Sequence, residues 1–203
     1  MRAGGRSNPN ACFQRECPVA DIVFLDSSRD RAVLAGASCA FGVFDGVHRG
    51  HRFLIDQARA SARETGGPSV VLTFDIDPDE LFHPARLHKL LSNEERLQVL
   101  SRTGVDAVAV LRFTREFAAL TPRDFLATTF DEHLPATMHV GHDIRFGCRA
   151  SGTIETLESW GSENGVLVVG HELVAEGGRP ITATRIRLLL ESGDEQAARD
   201  LLS

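Results

Sequence analysis

The chain has 203 residues, of which 42% are hydrophobic and 25% are charged, and these values are ordinary for a single globular domain. Its formal net charge of −6 argues against nucleic acid or an acidic membrane as a partner, although a local positive pocket could still hold a small phosphorylated ligand. No stretch approaches the roughly 20 apolar residues of a membrane span, and no apolar signal-peptide region stands at the N-terminus. We therefore expect a cytoplasmic protein that binds neither a membrane nor nucleic acid.

The N-terminal segment differs from the rest of the chain. Residues 1–18 are rich in Gly, Arg, Ser, Asn and Pro and show no periodicity, so we expect a mobile leader followed by one domain over residues 19–203. The cysteines are too scattered for two paired zinc motifs, and a core of this size needs no disulfide, so we expect reduced thiols at Cys12, Cys17, Cys39 and Cys148.

From Asp21 onwards, short apolar runs alternate with helical patterns, and this alternation is typical of β/α units around a parallel sheet. Five apolar runs predict strands that end near Phe44, Phe74, Leu111, Val140 and Val169. We expect one doubly wound α/β domain, in which ligands bind beyond the carboxyl ends of the strands.

Capping residues predict the later helices. Ser92 and Glu95 form a capping box that begins a helix ending near Gly104. Similar signals predict a helix that begins at Thr121 and Pro122 and a final pair over about 184–191 and 195–202.

The most informative segment is Phe44-Asp45-Gly46-Val47-His48-Arg49-Gly50-His51, between a predicted strand and a helix predicted over about 51–64. Such a turn presents free backbone N–H groups and the positive end of a helix dipole, and Gly50 leaves room for a phosphate to approach. His48 and His51 are three residues apart and can face the same anion. The turn therefore predicts a phosphate site. A metal pair is the weaker alternative, because no third ligand of matching spacing is evident nearby.

Polar clusters follow three of the predicted strands, at residues 45–51, 75–79 and 141–147. Because the carboxyl ends of parallel strands meet at one edge of a sheet, we expect the three clusters to share one site.

Residues 42–51 resemble the nucleotidylyltransferase motif of bacterial FAD synthetases. Three later segments resemble segments of that family in the same order: Val71-Leu72-Thr73-Phe74-Asp75, the run from Val140 to Gly147, and the run from Ile181 to Arg187. The resemblance covers the chain from about residue 21 to its C-terminus. It implies a Rossmann-like sheet of the His-x-Gly-His type and transfer of AMP from ATP to FMN, giving FAD and pyrophosphate.

The resemblance also implies roles for individual residues. Catalysis would rest on His48, His51 and Arg187, which would bind the phosphates. ATP would further contact Gly42, Phe44, Asp45, Gly50, Thr182 and Thr184. FMN would contact Phe74, Asp77, Phe82, Asp143 and Phe146, with Asp143 also close to a Mg²⁺ ion. Without the resemblance, Asp143 and Arg187 would be interpreted as surface charges and the three phenylalanines as core residues; for Phe82 and Phe146 the core and the flavin wall remain equal alternatives.

Three departures separate the chain from the family pattern. Ile76-Asp77-Pro78 stands in place of Pro-His-Pro, and its carboxylate should repel FMN unless a cation lies between them. Ala183 removes one hydroxyl group from the triphosphate site, and Ile144 replaces an aromatic ring. Two alternatives therefore stay open: a catalytically degenerate nucleotide-binding or regulatory module, and a nucleotidylyltransferase with another phosphate-ester acceptor.

In the bifunctional bacterial enzymes a riboflavin kinase domain follows the adenylyltransferase domain. The sequence ends at Ser203, where the linker to that domain should begin, so two alternatives stay open: the kinase domain was removed, or the protein never had one. Without it FMN must come from elsewhere, and a separate riboflavin kinase is the source we expect.

Overall fold

The structure is a computed structural model that describes residues 19–83 and 88–203, so the predicted leader lies outside the described residues. Its main sheet has six parallel strands in the order β1-β4-β3-β2-β5-β6. The strands are β1 (Asp21–Phe24), β2 (Ser38–Phe41), β3 (Ser69–Phe74), β4 (Ala107–Leu111), β5 (Thr137–Gly141) and β6 (Leu167–His171). An antiparallel hairpin, β7 (Ala175–Glu176) and β8 (Arg179–Pro180), follows the sheet.

Helices connect the strands. They are α1 (Ser28–Arg31), α2 (Arg49–Thr65), α3 (Pro78–Phe82), α4 (Asn93–Ser101), α5 (Arg115–Ala118), α6 (Pro122–Phe130), α7 (Ile154–Asn164), α8 (Ala183–Glu191) and α9 (Glu195–Leu202). Among the described residues, no helix is both long and apolar enough to cross a membrane.

The inner strands β2, β3 and β4 are buried along their whole length because helices cover both faces of the sheet. Successive residues of β3 alternate between two cores: Val71 packs with Ile55 of α2, while Leu72 packs with Phe125 of α6. We call the side of the sheet that packs against α2 the α2 face, and the side that packs against α6 the α6 face. Both faces extend to the carboxyl ends of the strands.

The doubly wound parallel sheet and the capped helices are confirmed. Ser92 and Glu95 do form a capping box at the start of α4, and Asp194 caps α9. The predicted end of the first apolar run at Phe44 was wrong, because β2 ends at Phe41. Phe44 is apolar because its side chain packs in the α2-face core, and its backbone has already left the sheet with φ of 61°.

Candidate active site

A cavity of about 550 Å³ opens at the carboxyl ends of the central strands. The three predicted polar clusters all contribute to its wall, as does the start of α8; among the lining residues are Asp45, His48, His51, Asp77, Asp143, Thr182 and Arg187. The prediction that the clusters share one site is confirmed, and its physical cause is the common direction of β2, β3 and β5.

The turn between β2 and α2 is tightly bent. Phe44 and Val47 have positive φ angles of 61° and 42°, and such conformations cost about 1–3 kcal/mol each. His48 is the N-cap of α2, and its Nδ1 accepts a hydrogen bond from the backbone N–H of His51 at 3.4 Å. A Cβ atom at Gly50 would lie 3.2 Å from the His48 ring, so glycine here keeps that ring in place as well as leaving room for an anion.

The two imidazole rings of the turn stack with their centroids 3.6 Å apart and their planes 16° from parallel. Burial lowers the pKa of His48 to about 4 and holds the pKa of His51 well below its usual value, so both rings are neutral at pH 7. Because Nδ1 of His48 is an acceptor, its proton lies on Nε2. Nδ1 of His51 is buried and makes no hydrogen bond within the described residues. The pair can therefore donate N–H groups to a phosphate without carrying charge.

Arg187 reaches this cavity from α8 and is held at its edge by two hydrogen bonds. Its Nη2 donates to Oδ2 of Asp45 at 2.5 Å, and its Nε donates to the backbone carbonyl of His88 at 2.5 Å. Asp45 is 6% exposed and also accepts a bond from the N–H of Leu90 at 3.2 Å. Asp45 thus lines the cavity and positions the guanidinium, whose remaining N–H groups can bind an anion.

Helix α8 begins at the cavity, as α2 does. Thr182 is its N-cap and accepts a hydrogen bond from the N–H of Arg185 at 3.1 Å. Ala183 and the exposed Thr184 also line the cavity. Two helix N-termini therefore direct free N–H groups and positive dipole ends at one space.

On the other side of β2, Phe74 lines the cavity while its ring contacts Phe113 at 5.2 Å. Asp77 lines it too and caps α3, accepting from the N–H of Asp79 at 2.9 Å. Burial raises the pKa of Asp77. Asp143 is exposed at the mouth, and within the described part of the chain its carboxylate makes no hydrogen bond or ion pair.

Two candidate flavin residues do not line the cavity. Phe146 is 5% exposed and lies in the α6-face core with its ring 5.3 Å from that of Phe125. A backbone bridge to Gly152 turns its ring inward, where a Cβ on that glycine would lie 2.8 Å from the ring. Phe82 is 50% exposed and contacts Phe113 at 6.3 Å.

Sequence reasoning missed Arg96, which is 2% exposed under the site. Its guanidinium donates to the carbonyls of Val43 and Phe74 and to Oγ1 of Thr73, at 2.7–2.8 Å. It therefore fastens the turn after β2 to the end of β3. Helical spacing could have predicted that Arg96 is buried, because it lies four residues before Leu100 on the buried face of α4.

The cavity has two sides that correspond to the two faces of the sheet. On the α2 face its wall includes Phe53, Leu54 and His171. On the α6 face it includes Phe41 and Phe74, which belong to the core shared with α6. The cavity therefore reaches both faces of the sheet at the end of β2.

Comparison with known proteins agrees with this geometry. The FAD synthetase family profile matches residues 30–185. The bifunctional riboflavin kinase/FMN adenylyltransferase of Escherichia coli is 37% identical over 172 residues, which cover 82% of this chain and 54% of that protein. A putative protein of the same description from Geobacillus thermodenitrificans is 32% identical over 169 residues, covering 83% of this chain and 90% of that protein. The chain spans about half the length of the Escherichia coli relative.

Solved structures show the same fold. The crystal structure of a macrolide-efflux protein from Streptococcus pneumoniae has a TM-score of 0.77 and 30% identity, over 90% of this chain and 61% of that one. Pantoate-beta-alanine ligase from Francisella tularensis has a TM-score of 0.54 at 12% identity, over 88% of this chain and 77% of that one, and shows a likeness of fold alone. With the family profile covering most of the described domain, the chain belongs to the FAD synthetase family.

Proposed function

We propose that this protein transfers AMP from ATP to FMN, giving FAD and pyrophosphate. The observation that carries the proposal is the convergence of two helix N-termini, the neutral pair His48 and His51, and the anchored Arg187 on one cavity. In a chain of the FAD synthetase family, this set of donors suits a triphosphate.

In this proposal ATP lies on the α2 face, with its phosphates at the start of α2. His48 and His51 donate N–H groups to phosphate oxygens, and Arg187 binds the β- and γ-phosphates. Gly42, Phe44 and Gly50 shape the turn, while Thr182 and Thr184 at the start of α8 offer hydroxyl groups. The absence of a hydroxyl at Ala183 removes one donor from this set.

FMN then lies on the α6 face, beside Phe74, Asp77 and Asp143. Its phosphate oxygen attacks the α-phosphorus of ATP, the new P–O bond forms as the bond to the bridging α–β oxygen breaks, and pyrophosphate leaves with that electron pair. The nucleophile is already an anion, so no base is required, and the site acts by alignment and charge stabilisation. Phe82 and Phe146 are not assigned to FMN, because neither lines the cavity.

ATP-dependent transfer in this family points to a divalent metal ion, and we propose Mg²⁺. Asp143 fits this role because its carboxylate faces the cavity and is not bonded within the described residues. No cluster of three or more His, Cys, Asp or Glu able to hold a metal occurs among the residues described, which suits an ion that binds mainly through substrate phosphates. When bound, Mg²⁺ would neutralise phosphate charge. We also propose that the protein is cytoplasmic and that a separate riboflavin kinase supplies its FMN.

Calorimetric titration with ATP and Mg²⁺ and then with FMN, followed by chromatographic assay for FAD in the same sample, tests the proposal. FAD is the expected product. Binding of ATP without binding of FMN and without product would favour the degenerate nucleotide-binding alternative, for which the carboxylate of Asp77 and the missing hydroxyl at Ala183 are the supporting observations. Binding of ATP together with AMP transfer to another phosphate ester would instead change the acceptor.

A further inference from the structure

Three hydrogen-bonded side chains, those of Ser61, His139 and His171, connect the core to the cavity wall. His139 on β5 is 3% exposed, and both of its ring nitrogens are hydrogen-bonded. Its Nε2 lies 2.9 Å from Oγ of Ser61 on α2, and its Nδ1 lies 2.9 Å from Nε2 of His171. His171 ends β6 and lines the cavity, with the edge of its ring against Phe53 at 5.6 Å. A buried histidine thus anchors a histidine that faces the ligand space.

The direction of the hydrogen bonds follows from which groups have partners. Both rings are neutral, because burial lowers the pKa of His139 to about 4 and also lowers that of His171. Within the described residues, the hydroxyl of Ser61 has His139 as its one hydrogen-bond partner. If Ser61 donates to Nε2 of His139, then Nδ1–H of His139 donates to Nε2 of His171, and both hydrogens within this relay have acceptors. The opposite order would leave the Ser61 hydroxyl hydrogen without an acceptor among the described residues, which is unfavourable at a partly buried site.

This order leaves the proton of His171 on Nδ1, the nitrogen that makes no protein hydrogen bond in the described structure. His171 therefore has a free N–H donor, and its ring lines the cavity. The apolar residues Phe53, Leu54, Leu173 and Val174 line the same cavity, with the exposed Glu172 as the one charged neighbour of His171 in the sequence, and this lining suits a flat ring better than a phosphate.

We propose that Nδ1–H of His171 donates a hydrogen bond to a ring nitrogen of the ATP purine, and that Ser61 and His139 are positioning residues for this contact. The inference rests on the proposed function, which places ATP on the α2 face. Phe53 follows His48 by five residues, about 7.5 Å along α2. A nucleotide whose phosphates lie at the start of α2 can therefore extend its base along the helix to Phe53 and His171.

The test is calorimetric titration of the full chain with ATP and Mg²⁺ in the absence of FMN. His171→Phe keeps a ring beside Phe53 but removes the donor, and we expect about a tenfold weaker Kd for ATP, the effect of one lost hydrogen bond. His171→Asn places an amide N–H near the position of Nδ1 and should restore affinity to within about threefold of wild type. The matched control is His133→Phe, because His133 follows α6 and does not line the cavity; its Kd should not change.

ATP analogues identify the contact independently of any effect on folding. The 1-deaza, 3-deaza and 7-deaza analogues each lack one ring nitrogen, and one of them should bind wild type about tenfold more weakly than ATP does. That analogue and ATP should bind His171→Phe equally. Ser61→Ala should reduce the wild-type preference for ATP over that analogue, whereas a merely structural role would lower the melting temperature and leave the preference unchanged.

The proposal is overturned if His171→Phe binds ATP as tightly as wild type does, or if the variant binds FMN more weakly and ATP unchanged. It is also overturned if, for every deaza analogue, the loss of affinity caused by the analogue is the same in His171→Phe as in wild type. These titrations need no turnover. A wild-type protein that binds ATP through His171 but forms no FAD would contradict the proposed reaction while supporting this contact.

Discussion

The ion pair between Asp45 and Arg187 offers the sharpest test of how the site is built, because it joins residues 142 positions apart. Asp45→Asn keeps the size of the side chain and removes its charge. The carboxylate now serves two donors: Arg187 binds Oδ2, and the N–H of Leu90 lies 3.2 Å from Oδ1 and 3.4 Å from Oδ2. An amide has one acceptor oxygen; if this oxygen stays on Arg187, the NH₂ group takes the place of Oδ1 and the N–H of Leu90 keeps only the longer contact, with an uncharged acceptor.

The expected loss follows from burial. The side chains of Asp45 and Arg187 are 8% and 22% exposed, so water replaces their bond poorly. A hydrogen bond to a charged group contributes about 1.5–3 kcal/mol, and we expect Asp45→Asn to lower the free energy of unfolding by about 2 kcal/mol. The affinity for ATP would report on this ion pair less clearly than the free energy of unfolding does, because two effects oppose each other. Loss of a carboxylate reduces repulsion of the phosphates, while loss of the restraint on Arg187 acts in the opposite direction.

The assay is urea unfolding of Asp45→Asn, Arg187→Met and the double variant, from which the coupling energy of the pair is obtained. The control is the pair formed by Asp26 and Arg112, which has better geometry, with two parallel bonds of 2.6 and 2.9 Å, but is exposed. Surface pairs contribute little even when well formed, so its coupling should be the smaller of the two.

The comparison separates burial from geometry. A coupling for Asp45 and Arg187 that is no larger than the exposed pair's would refute the reasoning, because it would show that Asp45 does not hold the guanidinium in place. A coupling larger than that of the exposed pair, together with slower FAD formation in Asp45→Asn, would identify Asp45 as a positioning residue for Arg187.

Three further predictions concern individual side chains of the site and its surroundings. His51→Ala should slow FAD formation by at least about 100-fold, because a donor to the reacting phosphates is lost. The melting temperature should fall by only about 2–6 °C, because the lost ring packs against His48 and Phe44 but its buried Nδ1 makes no hydrogen bond in the described structure; a much larger fall would make the residue structural instead. Asp77→Asn should tighten FMN binding severalfold in a calorimetric titration without loss of stability, because asparagine also caps helices, whereas Asp77→His should tighten FMN binding at the cost of about 1 kcal/mol for the lost cap; unchanged affinity in both would place Asp77 outside the flavin contact. Stability should fall as the pH is lowered from about 6.5 towards 4, because the unfolded chain binds protons at histidines whose pKa values are lowered in the folded state, to about 4 for His139. Urea unfolding at several pH values should show a weaker pH dependence in His139→Gln, and an identical dependence would mean that His139 is not kept neutral by burial.

Most of the fold was predictable because its signals are local. The buried strands are short continuous apolar runs, and the capping box of Ser92 and Glu95 is visible in the sequence. Strand β1 (Asp21–Phe24) was not named among the predicted strands, although Ile22-Val23-Phe24-Leu25 is a short apolar run; it is an edge strand that pairs with β4 alone and is only partly buried. The end of β2 was misplaced because apolar residues pack in the core beyond the point where the strand stops.

The site was predictable where one segment supplies it and unpredictable where several do. The phosphate turn lies within one short segment of the chain. The contacts of Arg96 with the turn and with β3, and those of His139 with α2 and β6, depend on how distant segments pack. Phe146 lies beside a backbone bridge to Gly152, and no local sequence pattern predicts this bridge or the inward direction of the Phe146 ring.

The positive charge of this site comes from groups other than its histidines. Burial keeps His48 and His51 neutral, so they supply direction rather than charge. Positive potential comes from the N-termini of α2 and α8 and from two arginines, each fixed by bonds that leave it little freedom: Arg96 by backbone carbonyls and Arg187 by Asp45. Rigid dipoles and anchored charges need little reorganisation when a phosphate arrives, which is the condition under which electrostatic stabilisation is most effective. Neutral imidazoles, with pKa values far below 7, also make the donor set insensitive to small changes around neutral pH.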